Sequence, residues 1–257
     1  MEDIARNPTS FGRLVMGSFI LGRRMAEMTP GEKNVAVLLP NSIGCLLTVF
    51  GLHATGRVPA MLNFSTGAVN MAGACTASQA TTIITSRRFI EASGMEQDLA
   101  LLAEGRKVIF LEELRAELTA RDKLYGLFAR IFSRTALRMG GASNDPNAPA
   151  IVLFTSGSEG LPKGVVLSHR NLQANRYQAA ARIAFTASDI VFNALPMFHA
   201  FVDGRCTAPR AGGCAHLPLP LAAPLQGGAG AVLRNQCDRA VRHRHLPDGL
   251  CPECPPL

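Results

Sequence analysis

Short apolar runs alternate with longer amphipathic segments along the first two hundred residues. The apolar runs have strand lengths and lie at 34–39, 58–62, 81–85, 107–111, 151–154 and 190–195. Helical periodicity predicts helices within 1–30, at 43–55, within 63–80, and at 89–103, 112–138 and 170–184. Strands that alternate with helices of about ten to fifteen residues indicate an α/β fold, with a mostly parallel sheet and flanking helices.

The loop after the fifth apolar run carries the most chemical information in the chain. Residues 151–168 read IVLFTSGSEGLPKGVVLS, so a strand stops at a loop rich in hydroxyls and glycine and a second strand follows it. Hydroxyls and glycine N–H groups donate to phosphate oxygens, and a lysine adds positive charge. The spacing differs from that of the Walker A loop, in which Gly-Lys-Ser/Thr directly precedes a helix. An ordinary hairpin turn is the alternative.

Three blocks of sequence resemble the adenylate-forming (AMP-binding) superfamily. The first is the loop itself, with its continuation Ser168-His169-Arg170-Asn171-Leu172. The second, at 35–64 and ending in VPAMLNF, resembles the first βαβ unit of these enzymes. The third, DIVFNALPMFHAF at 189–201, resembles the next shared block. The details are most similar to the bacterial acyl-acyl-carrier-protein synthetase/2-acylglycerophosphoethanolamine acyltransferase group.

This resemblance implies an activity and a set of site residues. Such enzymes join a fatty acid to ATP to give an acyl-adenylate, and then transfer the acyl group to a phosphopantetheine thiol. ATP and Mg²⁺ are therefore the implied cofactors. The partners are a fatty acid, acyl carrier protein or CoA as acceptor and, in the intact enzyme, a lysophospholipid. The implied phosphate-binding residues are Thr155, Ser156, Gly157, Ser158, Glu159, Gly160, Lys163 and Gly164.

Four further residues outside the phosphate loop carry expectations. His199 matches the family histidine near the acyl carboxylate and is the catalytic candidate. We expect His169 to cap the helix that follows it. Cys45 and Cys75 lie among apolar residues on predicted helices, so we expect buried thiols.

The composition changes after Phe201. Residues 202–257 contain no Lys, Ile, Phe, Tyr, Ser or Met, but five of the seven cysteines. Read one base later, this tail can encode strings similar to the same family, which predicts a frame change near Val202. We therefore divide the chain into a partial AMP-binding domain, 1–201, and an out-of-frame or disordered tail, 202–257. A genuine disordered tail is one alternative. A zinc site formed by Cys237, His243, His245, Cys251 and Cys254 is another.

Later motifs of the family, a Tyr-Gly-x-Thr-Glu block and a Thr-Gly-Asp block, do not occur in the chain. We therefore expect an incomplete N-terminal subdomain that folds poorly alone, because it leaves an apolar sheet edge unpaired, and that does not catalyse adenylation. A non-catalytic nucleotide-binding fragment and a basic zinc-binding module are the competing functions.

The net charge of +7 does not by itself indicate nucleic-acid binding, because the basic residues are scattered and the chain has two Tyr and no Trp. We expect no nucleic-acid partner. No run of about 18 apolar residues occurs, and Glu2 and Asp3 are unlike the start of a secretory signal. We expect a cytoplasmic location, with inner-membrane association in intact homologues.

Overall fold

The computed structural model describes residues 8–155, 162–182, 190–193, 195–199 and 215–218. Six strands form one sheet: β1 (Asn34–Val37), β2 (Val58–Met61), β3 (Thr82–Thr85), β4 (Lys107–Phe110), β5 (Pro149–Thr155) and β6 (Lys163–Ser168). Their order is β4-β3-β1-β2-β5-β6, and every neighbouring pair is parallel except the β5–β6 hairpin. A separate parallel pair consists of β7 (Ile190–Asn193) and β8 (Ala215–Pro218). The predicted α/β class is confirmed.

Helices occupy the connections between these strands. They are α1 (Phe11–Met28), α2 (Ile43–Ala54), α3 (Ala68–Ser78), α4 (Arg87–Ser93), α5 (Glu96–Ala103), α6 (Leu111–Ala116), α7 (Ala120–Ile131), α8 (Ser133–Gly140) and α9 (His169–Arg182). Ser42 begins α2 by accepting a hydrogen bond from the Cys45 N–H, and Ser86 does the same for α4 through Phe89. These serines satisfy N–H groups that lack a partner within the helix.

The central strands of the sheet are buried on both faces. Val35 and Val37 of β1 face a core formed with α1, α2, α6 and α9, whereas Ala36 and Leu38 face a second core formed with α3, α4 and α5. Such burial explains why β1 reads as a continuous apolar run instead of an alternating one. Both cores contain a cysteine, since Cys45 and Cys75 are buried as predicted.

Helices α1 and α2 cross at two glycines. A Cβ on Gly22 would collide with the Gly51 carbonyl, and a Cβ on Gly51 would lie 2.8 Å from the Ser18 carbonyl oxygen. The helix backbones can therefore approach this closely only because neither residue has a side chain. This contact fixes α1 over the sheet and gives α7 and α8 a surface to pack against.

Two predicted helices are divided in the structure. The predicted helix 112–138 becomes α6, α7 and α8, because Thr119 and Asp122 form a reciprocal capping box that starts a new helix. The predicted helix 89–103 becomes α4 and α5, because Gly94 adopts a left-handed conformation with φ of 64°. Both signals are present in the sequence.

The prediction that His169 caps the next helix is wrong. Ser168 performs that role: its Oγ accepts a hydrogen bond from the Asn171 N–H at 3.2 Å, and Asn171 Oδ1 accepts from the Ser168 N–H at 2.9 Å. The His169 ring instead lies edge-to-face against the His53 ring, with centroids 5.2 Å apart. Two imidazoles thus meet at the amino end of β5.

His53 is held in its neutral form. Its Nε2 lies 2.6 Å from the Ala150 carbonyl oxygen, so Nε2 carries the donated proton. Burial lowers the pKa of His53 to about 4, and the hydrogen bond to Ala150 offsets this effect only in part. Burial also lowers the pKa of His169.

We predict that acid destabilises the fold through His53. Between pH 6.5 and pH 4 the unfolded chain binds a proton that the folded chain does not, so stability present above pH 6.5 is lost as the pH falls towards 4. One pKa unit corresponds to about 1.4 kcal/mol, so the loss is up to about 3 kcal/mol at pH 4. Urea unfolding across this range measures it.

His53→Gln is the informative variant, since its amide can still donate to Ala150 and does not titrate. It should flatten the pH dependence below pH 6.5 and have the same slope as the parent above pH 7.5. An equally steep loss of stability in His53→Gln would contradict the assignment.

Candidate phosphate-binding site

The two ends of the predicted phosphate loop lie at the carboxyl edge of the parallel sheet. Thr155 ends β5 and Lys163 begins β6, and the two residues are directly paired in the antiparallel ladder. Paired residues in such a ladder are about 5 Å apart. Both are exposed. The structure therefore places a hydroxyl and an ammonium group together at the edge where parallel α/β sheets bind ligands.

The loop is fixed at its second end by α3. Pro162 packs on Gly73, where an added Cβ would lie 3.1 Å from the proline ring. Phe154, one residue before Thr155, is half-buried against the core beside α3. Side-chain packing thus holds both strand ends.

The structure locates three of the eight predicted phosphate-binding residues. Thr155 and Lys163 are at the loop ends, and Gly164 pairs with Phe154 inside β6. A Cβ on Gly164 would be 3.3 Å from Val152 Cγ1, so its role in the structure is close packing. The other five, Ser156, Gly157, Ser158, Glu159 and Gly160, lie outside the described residues. Their phosphate-binding role stays a prediction.

The turn that carries His199 is bound to the same edge by Asn41, the fourth residue after the end of β1. The buried Asn41 side chain donates from Nδ2 to the Leu195 carbonyl at 2.6 Å and accepts the Met197 N–H at 2.8 Å through Oδ1. One amide therefore satisfies both a donor and an acceptor of the passing backbone. Met197 follows with its side chain in the core.

Aromatic packing provides a second attachment for this turn. The Phe198 ring meets the Phe64 ring edge-to-face, with centroids 5.0 Å apart, and Phe64 meets Phe89 in the same way at 5.2 Å. Next to this partly buried stack, His199 is exposed, and its backbone N–H donates to the Pro196 carbonyl at 2.9 Å. His199 and the phosphate loop thus share one edge of the sheet, and the catalytic role of His199 stays a prediction.

Sequence reasoning missed the function of Asn41. Ser42 caps α2, whereas Asn41, directly before it, reaches the His199 turn across 154 residues of sequence. A signal was available, because a buried polar residue directly after an apolar strand requires hydrogen-bond partners. No local feature of the sequence indicates that these partners are the backbone groups of Leu195 and Met197.

A separate cavity of about 890 Å³ opens at the opposite, amino edge of the sheet, next to Lys33, Val58 and Pro149. The seven-residue strand β5 separates the two edges by about 20 Å. His53 and His169 line this cavity. It is therefore distinct from the phosphate loop.

The described ranges contain no group of three or more His, Cys, Asp or Glu side chains that could hold a metal ion. The predicted zinc ligands of the tail lie outside those ranges. Within the described part of the chain, no helix combines the length and apolarity needed to cross a bilayer.

We predict that Asn41→Ala releases the His199 turn. The variant removes both hydrogen bonds that the Asn41 amide makes to the turn, which should lower the free energy of unfolding by about 2–3 kcal/mol. Hydrogen exchange of the amides at 195–199 should rise. Asn70→Ala is the control, because the Asn70 amide donates to a backbone carbonyl on the exposed surface of α3. Unchanged exchange at 195–199 in Asn41→Ala would show that the turn is held by other contacts.

Comparison with known proteins places this arrangement in a family. The chain is 29% identical over 194 residues to a feruloyl-CoA synthase from Amycolatopsis sp, an alignment that covers 73% of this chain and 33% of that relative. It is 44% identical over 59 residues to a crotonobetaine/carnitine–CoA ligase from Salmonella paratyphi B, covering 23% of this chain and 11% of the ligase. The chain thus spans about a third of the feruloyl-CoA synthase.

Solved structures of low identity share the fold. O-succinylbenzoate coenzyme A synthetase (MenE) from Bacillus subtilis, in complex with AMP, superposes with a TM-score of 0.68 at 18% identity, covering 92% of this chain and 55% of that one. ATP-bound MatB from Rhodopseudomonas palustris gives 0.66 at 19% identity, covering 87% and 42%. The sequence profile of the family described as AMP-binding enzyme matches residues 21–235. The chain therefore belongs to the AMP-binding enzyme family.

Proposed function

We propose that this chain carries the triphosphate-binding part of an ATP-dependent acid ligase that forms an acyl-adenylate. The observation that carries the proposal is the pairing of Thr155 with Lys163 at the carboxyl edge of the sheet, beside the turn that bears His199. This juxtaposition provides donors for a polyphosphate and, nearby, an imidazole for a carboxylate.

The reaction assigns a task to each group. A carboxylate oxygen forms a bond to the α-phosphorus of ATP, and the bond from that phosphorus to the β-bridging oxygen breaks, so negative charge develops on the departing pyrophosphate. Lys163 and the Thr155 hydroxyl stabilise that charge, because charge-assisted hydrogen bonds strengthen as charge develops. The His199 imidazole N–H would orient the attacking carboxylate. No described residue is assigned as a ligand of magnesium, which would accompany the nucleotide.

The finer assignment concerns the acid and the acceptor. We propose a fatty acid as substrate and acyl carrier protein or CoA as acceptor, with a lysophospholipid as a further acceptor in an intact enzyme. The similarity of the VPAMLNF and PMFHAF segments to the acyl-acyl-carrier-protein synthetase group supports this proposal. The similarity to a feruloyl-CoA synthase and a crotonobetaine/carnitine–CoA ligase favours CoA as the acceptor. We propose a cytoplasmic location for this chemistry.

A second candidate is a nucleotide-binding fragment without catalysis. It is favoured by the length of the match, which spans about a third of the feruloyl-CoA synthase. Both candidate functions require the phosphate loop, so a measurement of ATP binding tests the loop itself. Formation of the acyl-adenylate then distinguishes the ligase from the non-catalytic fragment.

We predict that ATP binds this chain through Lys163. Loss of one charge-assisted contact, about 1.5–3 kcal/mol, should weaken ATP affinity about tenfold or more in Lys163→Ala. Isothermal titration measures the change. Lys33→Ala is the matched control, since Lys33 is an exposed lysine at the opposite edge of the sheet. Equal affinity in the Lys163 variant and the control would refute the assignment of the loop.

We also predict that this chain alone gives no ATP–pyrophosphate exchange with a fatty acid. The reason is the predicted frame change near Val202, although the family match continues to residue 235. DNA sequencing from the Phe201 codon onward checks the cause. A shifted frame that stays open through the missing motifs supports it, and expression of that repaired frame should restore exchange. A closed shifted frame, or exchange by the present chain, would refute the prediction.

A further inference from the structure

Apart from Tyr125, which is half-buried against the inner cluster, helices α7 and α8 place their small side chains inward and their large apolar side chains outward. The buried residues of the two helices are Gly126 and Ala129, together with Asp122, in α7 and Ala136 in α8. A surface helix of a globular protein normally does the opposite, with a large apolar stripe facing the core. The α7–α8 pair therefore does not contribute the greater part of its apolar surface to the core.

The orientation of this pair is fixed by its inner face. A Cβ on Gly126 would lie 2.9 Å from Met16 Cγ and even closer to the Ile20 side chain, so α7 is in close contact with α1. Asp122 adds an ion pair to Arg24 of α1 at 2.8 Å. Although burial favours the neutral acid, hydrogen bonds from Thr119 and Arg24 hold the pKa of Asp122 below its ordinary value. Rotation of α7 to bury its apolar side would break these contacts.

The outward side carries exposed large apolar side chains, which we call the outer ridge. It consists of Leu124, Leu127, Phe128, Ile131, Phe132 and Met139. The first four follow the i, i+3, i+4, i+7 spacing that places residues on one helix face. Leu124, Ile131 and Met139 are 69%, 66% and 69% exposed. An apolar patch of this kind marks an interaction surface.

Only positive charges border the outer ridge on its own helices. Arg121, Lys123, Arg134 and Arg138 are exposed, whereas Asp122, the one acidic residue of 119–141, points inward to Arg24. Arg130 is directed elsewhere, since its guanidinium lies over Gly12 of α1. The surface thus combines large apolar side chains with uncompensated cationic groups.

We propose that the outer ridge docks on an anionic lipid surface. Large apolar side chains enter the boundary between headgroups and acyl chains, and flanking Lys and Arg pair with anionic headgroups. The twelve residues of α7 extend about 18 Å, which suits a helix that lies in this interface. A protein partner would present its own fixed pattern of charges, so binding it would not require a border that is positive throughout. The proposal is independent of nucleotide binding.

Vesicle co-sedimentation tests the proposal on the full chain. Vesicles of phosphatidylcholine alone are compared with vesicles that also contain phosphatidylglycerol. The parent chain should partition preferentially to the anionic vesicles, and added salt should weaken the binding. The variant Leu124→Glu with Ile131→Glu should lose about tenfold or more of that partitioning, because it removes two inserted side chains and adds two repelled charges.

The matched control is Val69→Glu with Leu101→Glu. These two apolar residues are 83% and 55% exposed on α3 and α5, at the other face of the sheet, so the control makes the same charge change away from the ridge. It should retain most of the vesicle binding. Thermal unfolding should give the same midpoint for the parent and the ridge variant, since the replaced side chains do not pack in the core.

A second pair of variants isolates the electrostatic part. Arg134→Gln with Arg138→Gln should reduce the preference for phosphatidylglycerol, whereas Arg88→Gln with Arg115→Gln, which removes two exposed arginines elsewhere, should change it less. Equal binding of the ridge variant and its control would overturn the proposal. It would also be overturned if size-exclusion chromatography showed the ridge variant converting an oligomer to a monomer with vesicle binding unchanged.

Discussion

Parallel strands buried on both faces are the constraint on which the rest of this structure depends. Because helices cover each face of β1, β2 and β3, polar side chains can be accommodated only where strands end. The parallel direction then brings the carboxyl ends of β1, β2 and β5 to one edge. Asn41, Phe64 and Thr155 follow or end those strands, so the sheet gathers residues that are more than one hundred positions apart in sequence.

The carboxyl edge combines a rigid part and an exposed part. Asn41 and the Phe64–Phe198 contact hold the backbone on either side of Met197, while Thr155, Lys163 and His199 remain exposed. Functional groups set on rigid supports are oriented without losing access to ligand. The amino edge differs, because its two histidines, His53 and His169, are neutral and line a cavity. This cavity lies about 20 Å from the carboxyl edge, measured along β5.

The sequence allowed prediction of the sheet and of the two segments that carry the exposed candidate residues, because apolar runs and local turn chemistry are short-range signals. It failed where a local signal competed with a longer pattern. The helical periodicity of 112–138 concealed the capping box at Thr119, and the histidine of Ser168-His169 concealed the serine that caps α9. For contacts between distant segments, no local signal identified the partner. Neither the clamp from Asn41 nor the His53–His169 pair could be read from spacing, since each joins residues brought together only by the sheet.

The inverted packing of α7 and α8 separates two properties that are usually linked in a surface helix. Where the same large side chains form both the core and the exposed face, a change in surface chemistry also changes stability. Here Gly126, Ala129 and Ala136 are the residues buried against the rest of the protein, and the exposed residues of the outer ridge are not needed for that packing. Selection can therefore alter the outward residues one at a time at little cost to folding. Related chains could diverge at this surface while preserving the same fold, which makes it a place for adaptation to different cellular surroundings.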